Sequence, residues 1–185
     1  MVVVFDACLF YPIAIRHFGG HLAAIDDFQA RWTRVINEEW IRSVCRNLGK
    51  KKESFAATLE WLEIAVPDYL IEGYEGTLGE CTLPDPDDFH VIEAAVFAEA
   101  ERIITFNLAD FPETVLVPLG LRAQNPDEFF VERYAAYPER VIEAAAEARA
   151  GLARKPFTPE RYVESLASAG LTHLARLLTA HFDQI

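Results

Sequence analysis

Residues Leu83 to Pro112 read LPDPDDFHVIEAAVFAEAERIITFNLADFP. Three acids, Asp85, Asp87 and Asp88, crowd the first six positions, and helical periodicity starts straight after them at Val91, Ile92, Ala95 and Val96. Ile103, Ile104 and Thr105 then make a β-branched run, so the order is acid loop, helix, buried strand. The loop past that strand carries Asn107 and Asp110. In open α/β sheets ligands bind at the carboxyl ends of the strands, which makes this loop, with Thr105 at its root, a candidate site.

Working toward the amino terminus, Val2-Val3-Val4-Phe5 is a continuous apolar run of the kind expected for a strand buried on both faces, and it ends in Asp6. A lone acid there more often caps the next helix than does chemistry; Asp6 gains meaning only with company. Pro12 to Ala24 is helical in pattern but interrupted by Gly19-Gly20, which predicts a weakened or bent helix. His17 and His21 stand at ligand spacing, but without an HExxH signature they read as surface histidines. A helix is predicted over Arg34 to Leu48, capped by Thr33, with Ile36, Trp40, Val44 and Leu48 inward. Glu39, Arg42 and Arg46 share another face, followed by Lys50-Lys51-Lys52. Such a basic group can attract a phosphodiester or be an ordinary solvated helix end. Residues 53 to 65 form a further amphipathic helix, and Tyr69-Leu70-Ile71 is a candidate short strand.

Toward the carboxyl terminus, Leu121-Arg122-Ala123 reads as an edge strand. From Asp127 the pattern is helical, in runs near 127–136, 139–153, 159–169 and 171–183. The division is therefore a domain over 1–126 and a helical extension over 127–185 expected to pack on the sheet or on a partner, a second copy in a homodimer being one such partner; nothing in its pattern points to RNA contact.

The chain has 185 residues, 51% of them hydrophobic, enough for one core. No apolar run reaches the roughly 20 residues of a membrane span, so no membrane partner is expected. The opening MVVVFD lacks a basic region and reads as a strand rather than a signal peptide, which points to a cytoplasmic address. Cys8, Cys45 and Cys81 lack CxxC spacing and read as reduced thiols. The net charge is -12, but it is uneven: residues 1–60 hold 8 Lys+Arg against 7 Asp+Glu, and residues 61–126 hold 2 against 13, a net of -11. That acid excess can be a solvated face, a dock for a basic partner, or part of a cation site.

If Asp6, Glu39, Asp88 and Asp110 converge, they need compensation: a like-charged pair at about 4 Å costs on the order of 4 kcal/mol at an effective dielectric of roughly 20. Either some stay protonated or a hard cation balances them. All-oxygen ligation favours Mg²⁺ or Mn²⁺ over zinc. There is no P-loop, GxGxxG or GxSxG motif. An EF-hand at Asp85 fails, because Phe89 and His90 fill the fifth and sixth positions. A haloacid-type phosphotransfer site wants a second acid two residues after Asp6, where Cys8 stands. Asp87 or Asp88 as a mere helix cap remains the competing account of the acid loop.

Four segments in order, VVVFDACLFYP, WTRVINEEWIR, LPDPDDFHVIEAA and IITFNLADFP, resemble the PIN-domain family, most closely its VapC-like toxin branch, and QNPDEFF resembles the entry to the helical extension of some members. The resemblance implies a three-layer α/β/α sandwich on a central parallel sheet. It also implies Mg²⁺- or Mn²⁺-dependent endoribonuclease activity and a cognate antitoxin protein as partner. Asp6, Asp88 and Asp110 match its first, third and fourth acids, and Asn107 the polar neighbour of the fourth. The second acid is Glu38 or Glu39, and Glu39 fits better because it directly precedes the bulky Trp40. Phe89 stands where arginine is frequent, and Glu93 where a small residue is.

The expected function is thus a toxin-type endoribonuclease with Asp6, Glu39, Asp88 and Asp110 as catalytic metal ligands, supported by Asn107, Asp85, Asp87 and Thr105. Arg16, Arg42, Arg46, Lys50, Lys51 and Lys52 are the candidate RNA contacts. The alternative is a catalytically weak module on the same scaffold that docks a basic protein. A flap-type DNA nuclease would need additional acids and a helical arch that the sequence lacks.

Overall fold

The computed structural model describes residues 1–25, 27–79, 83–152 and 157–185. Cys81 and position 153, the expected end of one helix, lie outside them. Four strands, β1 (Val2–Phe5), β2 (Gln29–Arg31), β3 (Arg102–Ile104) and β4 (Arg122–Gln124), form a parallel sheet in the order β2-β1-β3-β4. The helices are α1 (Ala7–Phe10), α2 (Ile13–Ile25), α3 (Arg34–Leu48), α4 (Ala56–Ala65), α5 (Phe89–Phe97), α6 (Glu113–Leu116), α7 (Pro126–Ala136), α8 (Pro138–Gly151), α9 (Pro159–Ser168) and α10 (Thr172–Leu178). The architecture is α/β and PIN-like, with carboxyl-terminal helices. No described helix is long and apolar enough to cross a membrane.

The chain divides into two compact units, Met1–Tyr11 with Phe28–Asn125, and Pro12–Asp27 with Pro126–Ile185. In the first, the central strands are apolar because both faces are covered: Val3, Val4, Ile103 and Ile104 are fully buried. An aromatic cluster fills one side, where Phe10 meets Trp32 at 4.9 Å and Trp32 stacks on Tyr69 at 4.2 Å. Tyr69-Leu70-Ile71 contributes a single parallel bridge, Trp32 to Leu70, and no strand. α3 begins as its sequence demands, with the Thr33 hydroxyl accepting from Ile36 N–H at 3.1 Å, and ends on Gly49 in the left-handed conformation. Inside it, Asn37 Oδ1 accepts from two buried indoles, Trp32 Nε1 at 3.2 Å and Trp40 Nε1 at 3.0 Å.

In the second unit α2 runs unbroken through Gly19-Gly20, contrary to the weakened helix expected from composition. Both glycines are buried, and α2 packs along α8, so tertiary packing outweighs propensity. The same packing corrects the reading of His17 and His21 as surface residues: both are half-buried, and burial pulls the His17 imidazole down to about 4. Asp127, buried on α7, caps the amino end of α10, accepting from His173 N–H at 2.8 Å and Leu174 N–H at 2.9 Å.

Candidate functional site

The strand order has one topological switch: from β1 the chain moves outward to β2, and after crossing back it continues from β3 to β4. Crevices at such points, beyond the carboxyl ends of the two diverging strands, are where open α/β sheets bind ligands. Asp6 follows β1 and Thr105 follows β3, at this point. The register that pairs Phe5 with Ile104 sets them side by side, and Asp6 N–H donates to Ile104 C=O at 3.2 Å.

Asp6 is 4% exposed and strongly held. Its Oδ1 accepts from Ala7 N–H at 2.6 Å and its Oδ2 from the Thr105 hydroxyl at 2.6 Å. Capping and site-building, posed as rival roles by the sequence, coexist in this one side chain: Asp6 caps α1 and also lines a cavity of about 520 Å³. Thr105 Oγ1 in turn accepts from Asn107 N–H at 2.9 Å and lies 3.5 Å from Cys8 Sγ. Burial, then the Asp6 charge, push the Cys8 thiol up, and its Sγ accepts from Phe106 N–H at 3.2 Å.

The cavity's acidic wall comes from three separate stretches of chain: Asp6, Glu39, and the loop acids Asp85, Asp87 and Asp88. Glu38 points elsewhere, 3.9 Å from Lys52 Nζ. Within the loop Asp85 is the cap, accepting from Asp87 N–H at 2.9 Å, while Asp88 makes no side-chain capping bond and faces the cavity. Burial, and then the charges of Asp6, Asp85, Asp110 and Glu39, push the Asp88 carboxyl up to about 7. Asp110 does not line the cavity, although its charge reaches it; it ends a 3-10 turn over Leu108–Asp110, and Asn107 just before that turn is a lining residue. Among the described residues no three His, Cys, Asp or Glu side chains stand close enough to be a ready metal-ligand set.

His90 was not singled out in the sequence as a functional residue. Its Nε2 lies 3.0 Å from Glu39 Oε1, tying α5 to α3, and its buried Nδ1 has no hydrogen-bond partner among the described residues. An acidic residue brought near a histidine two residues past an acid loop leaves no spacing signature. On α3 the residues that share the cavity with Glu39 are Trp40, Ser43 and Asn47, and not Arg42 and Arg46, which are exposed and absent from its lining. The reason is angular: at about 100° per residue Ser43, Asn47 and Trp40 lie about 40°, 80° and 100° to one side of Glu39, whereas Arg46 and Arg42 lie about 20° and 60° to the other. Lys50, Lys51 and Lys52 are exposed beyond the helix end. Arg16 is 5% exposed and belongs to α2, in the second compact unit. Glu93, also buried, does not line the cavity: it accepts from Gly76 N–H at 3.0 Å and pins the loop before the acids.

Comparison with known proteins adds a second line. Residues 126–180 match the model of the VapC50 C-terminal domain. VapC50 of Mycobacterium tuberculosis, named as a candidate ribonuclease, is 34% identical over 79 residues. The chain is thus similar to VapC50 over part of its length. The match covers 43% of this chain and 47% of the relative, so the chain spans about half the length of the curated protein it matches. No solved structure matches it. This similarity points the same way as the resemblance read from the four acid-bearing segments, and the parallel sheet agrees with a PIN-like fold.

Proposed function

We propose that the chain is a Mg²⁺- or Mn²⁺-dependent endoribonuclease of the toxin type, with Asp6, Glu39, Asp88 and Asp110 as the groups that would hold the ion. The observation that carries this reading is the convergence of carboxylates from three distant stretches on one cavity at the switch point of a parallel sheet, with Asp110 near enough to act on Asp88. The donors are of the right chemical kind, though not drawn together as a ready ligand set: every candidate ligand is a carboxylate oxygen. The burial and neighbouring charges that raise the Asp88 carboxyl are what a divalent cation would offset. Such an ion, when bound, lowers the pKa of a coordinated water and offsets negative charge building on a phosphodiester.

The chain's own residues orient this set. Thr105 and the Ala7 amide fix the Asp6 carboxylate while leaving lone pairs on both oxygens. His90 holds one oxygen of Glu39, and Asp87 and Asp85 flank Asp88. RNA would be the substrate, an antitoxin protein a partner and the cytoplasm the setting, as the VapC-like resemblance implies.

The test is cleavage of an RNA panel with and without Mn²⁺. Asp6→Asn and Asp88→Asn should abolish cutting while leaving the circular dichroism spectrum unchanged; undiminished cutting by the Asp6→Asn protein would reject the assignment. A second reading, a module without turnover that docks a basic protein, draws on the net charge of -11 over residues 61–126. Metal binding without any cleavage, together with capture of a basic partner, would favour it.

A further inference from the structure

The cavity lining is chemically mixed. Beside the carboxylates it includes Tyr11, Ser43 and Asn47, neutral side chains delivered by the end of α1 and by one flank of α3. Asn47 Nδ2 donates to Tyr11 Oη at 3.2 Å, which ties the two together and holds the amide in one orientation. That bond uses one of the two amide hydrogens, so the second N–H and the carbonyl Oδ1 form an adjacent donor and acceptor pair. Tyr11 is half-buried, with an aromatic face and a hydroxyl hydrogen still to donate.

We infer that Tyr11 and Asn47 form a subsite that reads one unpaired nucleobase beside the scissile phosphate. This rests on the ribonuclease reading and adds a specificity element to it. A phosphate is a poor occupant beside Tyr11 and Asn47, because no cationic side chain lines the cavity and five carboxylates do. A base suits it: proteins recognise single-stranded RNA by stacking splayed bases on aromatic rings and by hydrogen bonds to their polar edges. An amide that presents a donor beside an acceptor can pair with a base edge in bidentate fashion. Ser43, one turn before Asn47 on the same flank, adds a hydroxyl that can donate or accept next to it. The cavity is also the right size: about 520 Å³ falls within the range of small-ligand sites.

The experiment uses RNA oligonucleotides that differ only in the base flanking the cut position. Cleavage rates with Mn²⁺ are compared for wild type, Asn47→Ala, Tyr11→Phe and Tyr11→Ala. Wild type should prefer one base over the worst by about fivefold or more, the discrimination a bidentate contact gives. Asn47→Ala should flatten that preference to within about twofold, and Tyr11→Ala should weaken cleavage of the preferred RNA more than Tyr11→Phe does, since phenylalanine keeps the ring. An equal slowing on all RNAs, or an unchanged preference, would overturn the subsite.

The same oligonucleotides are titrated by fluorescence anisotropy with Ca²⁺ in place of Mn²⁺, so that the result does not depend on turnover. Should the wild type cut nothing, the ribonuclease reading falls, and base-dependent binding that Asn47→Ala removes would still support the subsite. Binding with no base dependence in the wild type, or no binding at all, would overturn it.

Discussion

The Thr105 hydroxyl donates to Asp6 Oδ2 at 2.6 Å at the ends of the paired strands β1 and β3, and Thr105 Oγ1 itself accepts from the Asn107 amide. One side chain thus sets the direction of the first acid and the path of the loop that carries the fourth. Thr105→Val keeps the shape and removes the donor, leaving a buried carboxylate oxygen without its partner, at a cost of about 1–3 kcal/mol. Urea denaturation should show that loss, and Thr105→Ser should recover most of it; equal midpoints for valine and wild type would contradict the role.

Asp88 gives the stability a definite pH dependence. Its carboxyl is raised from 3.8 to about 7 in the folded protein, so its contribution to stability is fully present below the ordinary value and is lost as pH rises through about 7. Asp88→Asn removes the repulsion, and metal-free protein carrying it should melt higher than wild type at pH 8, with a smaller gain at pH 5. Thermal denaturation in EDTA at the two pH values checks this; a gain confined to pH 5 would contradict it.

His90 is expected to hold Glu39 in position. His90→Ala should weaken Mn²⁺ affinity or activity by about 10- to 100-fold, the usual effect of losing a partner of a ligating side chain. His90→Gln, whose Nε2 can take the place of the ring nitrogen, should restore much of it. Isothermal titration with Mn²⁺ separates this from simple unfolding, since the melting midpoint is read in the same sample.

Asp127 is the corresponding test for the carboxyl-terminal helices. Burial raises its pKa, but the amides of His173 and Leu174 outweigh that and hold the carboxylate below its usual range. Its contribution is therefore present above the ordinary carboxylate value and disappears as pH falls through the depressed one. Asp127→Ala should cost about 0.5–2 kcal/mol at pH 7, the scale of a lost helix cap, and the difference from wild type should shrink in acid. A denaturation series from pH 7 to pH 3 measures it.

Much of this molecule was legible before any coordinates. β1, α3 and α5 follow from apolar runs and helical periodicity, and the bounds Arg34 and Leu48 were read correctly from Thr33 and the residues before Gly49. β2 was not legible, because Gln29-Ala30-Arg31 has no β-branched residue and exists through its pairing with Val2, Val3 and Val4. The tertiary cap at Asp127 was hidden for the same reason: its partners lie 46 and 47 residues away. At the site, the acids announced themselves by their places after strands, whereas Ser43 and Asn47 were passed over in favour of Arg42 and Arg46. Charge draws attention to one flank of the helix while the cavity lies along the other, and only the azimuth of α3 against the core separates the two.

That azimuth is keyed from within by Asn37, whose single carbonyl oxygen serves the indoles of Trp32 and Trp40. Sliding the helix by one residue would swing it about 100°, and neither indole would then find its acceptor. The aim of Glu39 and the choice of which polar side chains face the groove are therefore inherited from a buried amide two positions earlier. Substitutions at that hidden position would retune the groove while leaving every residue on its rim unchanged.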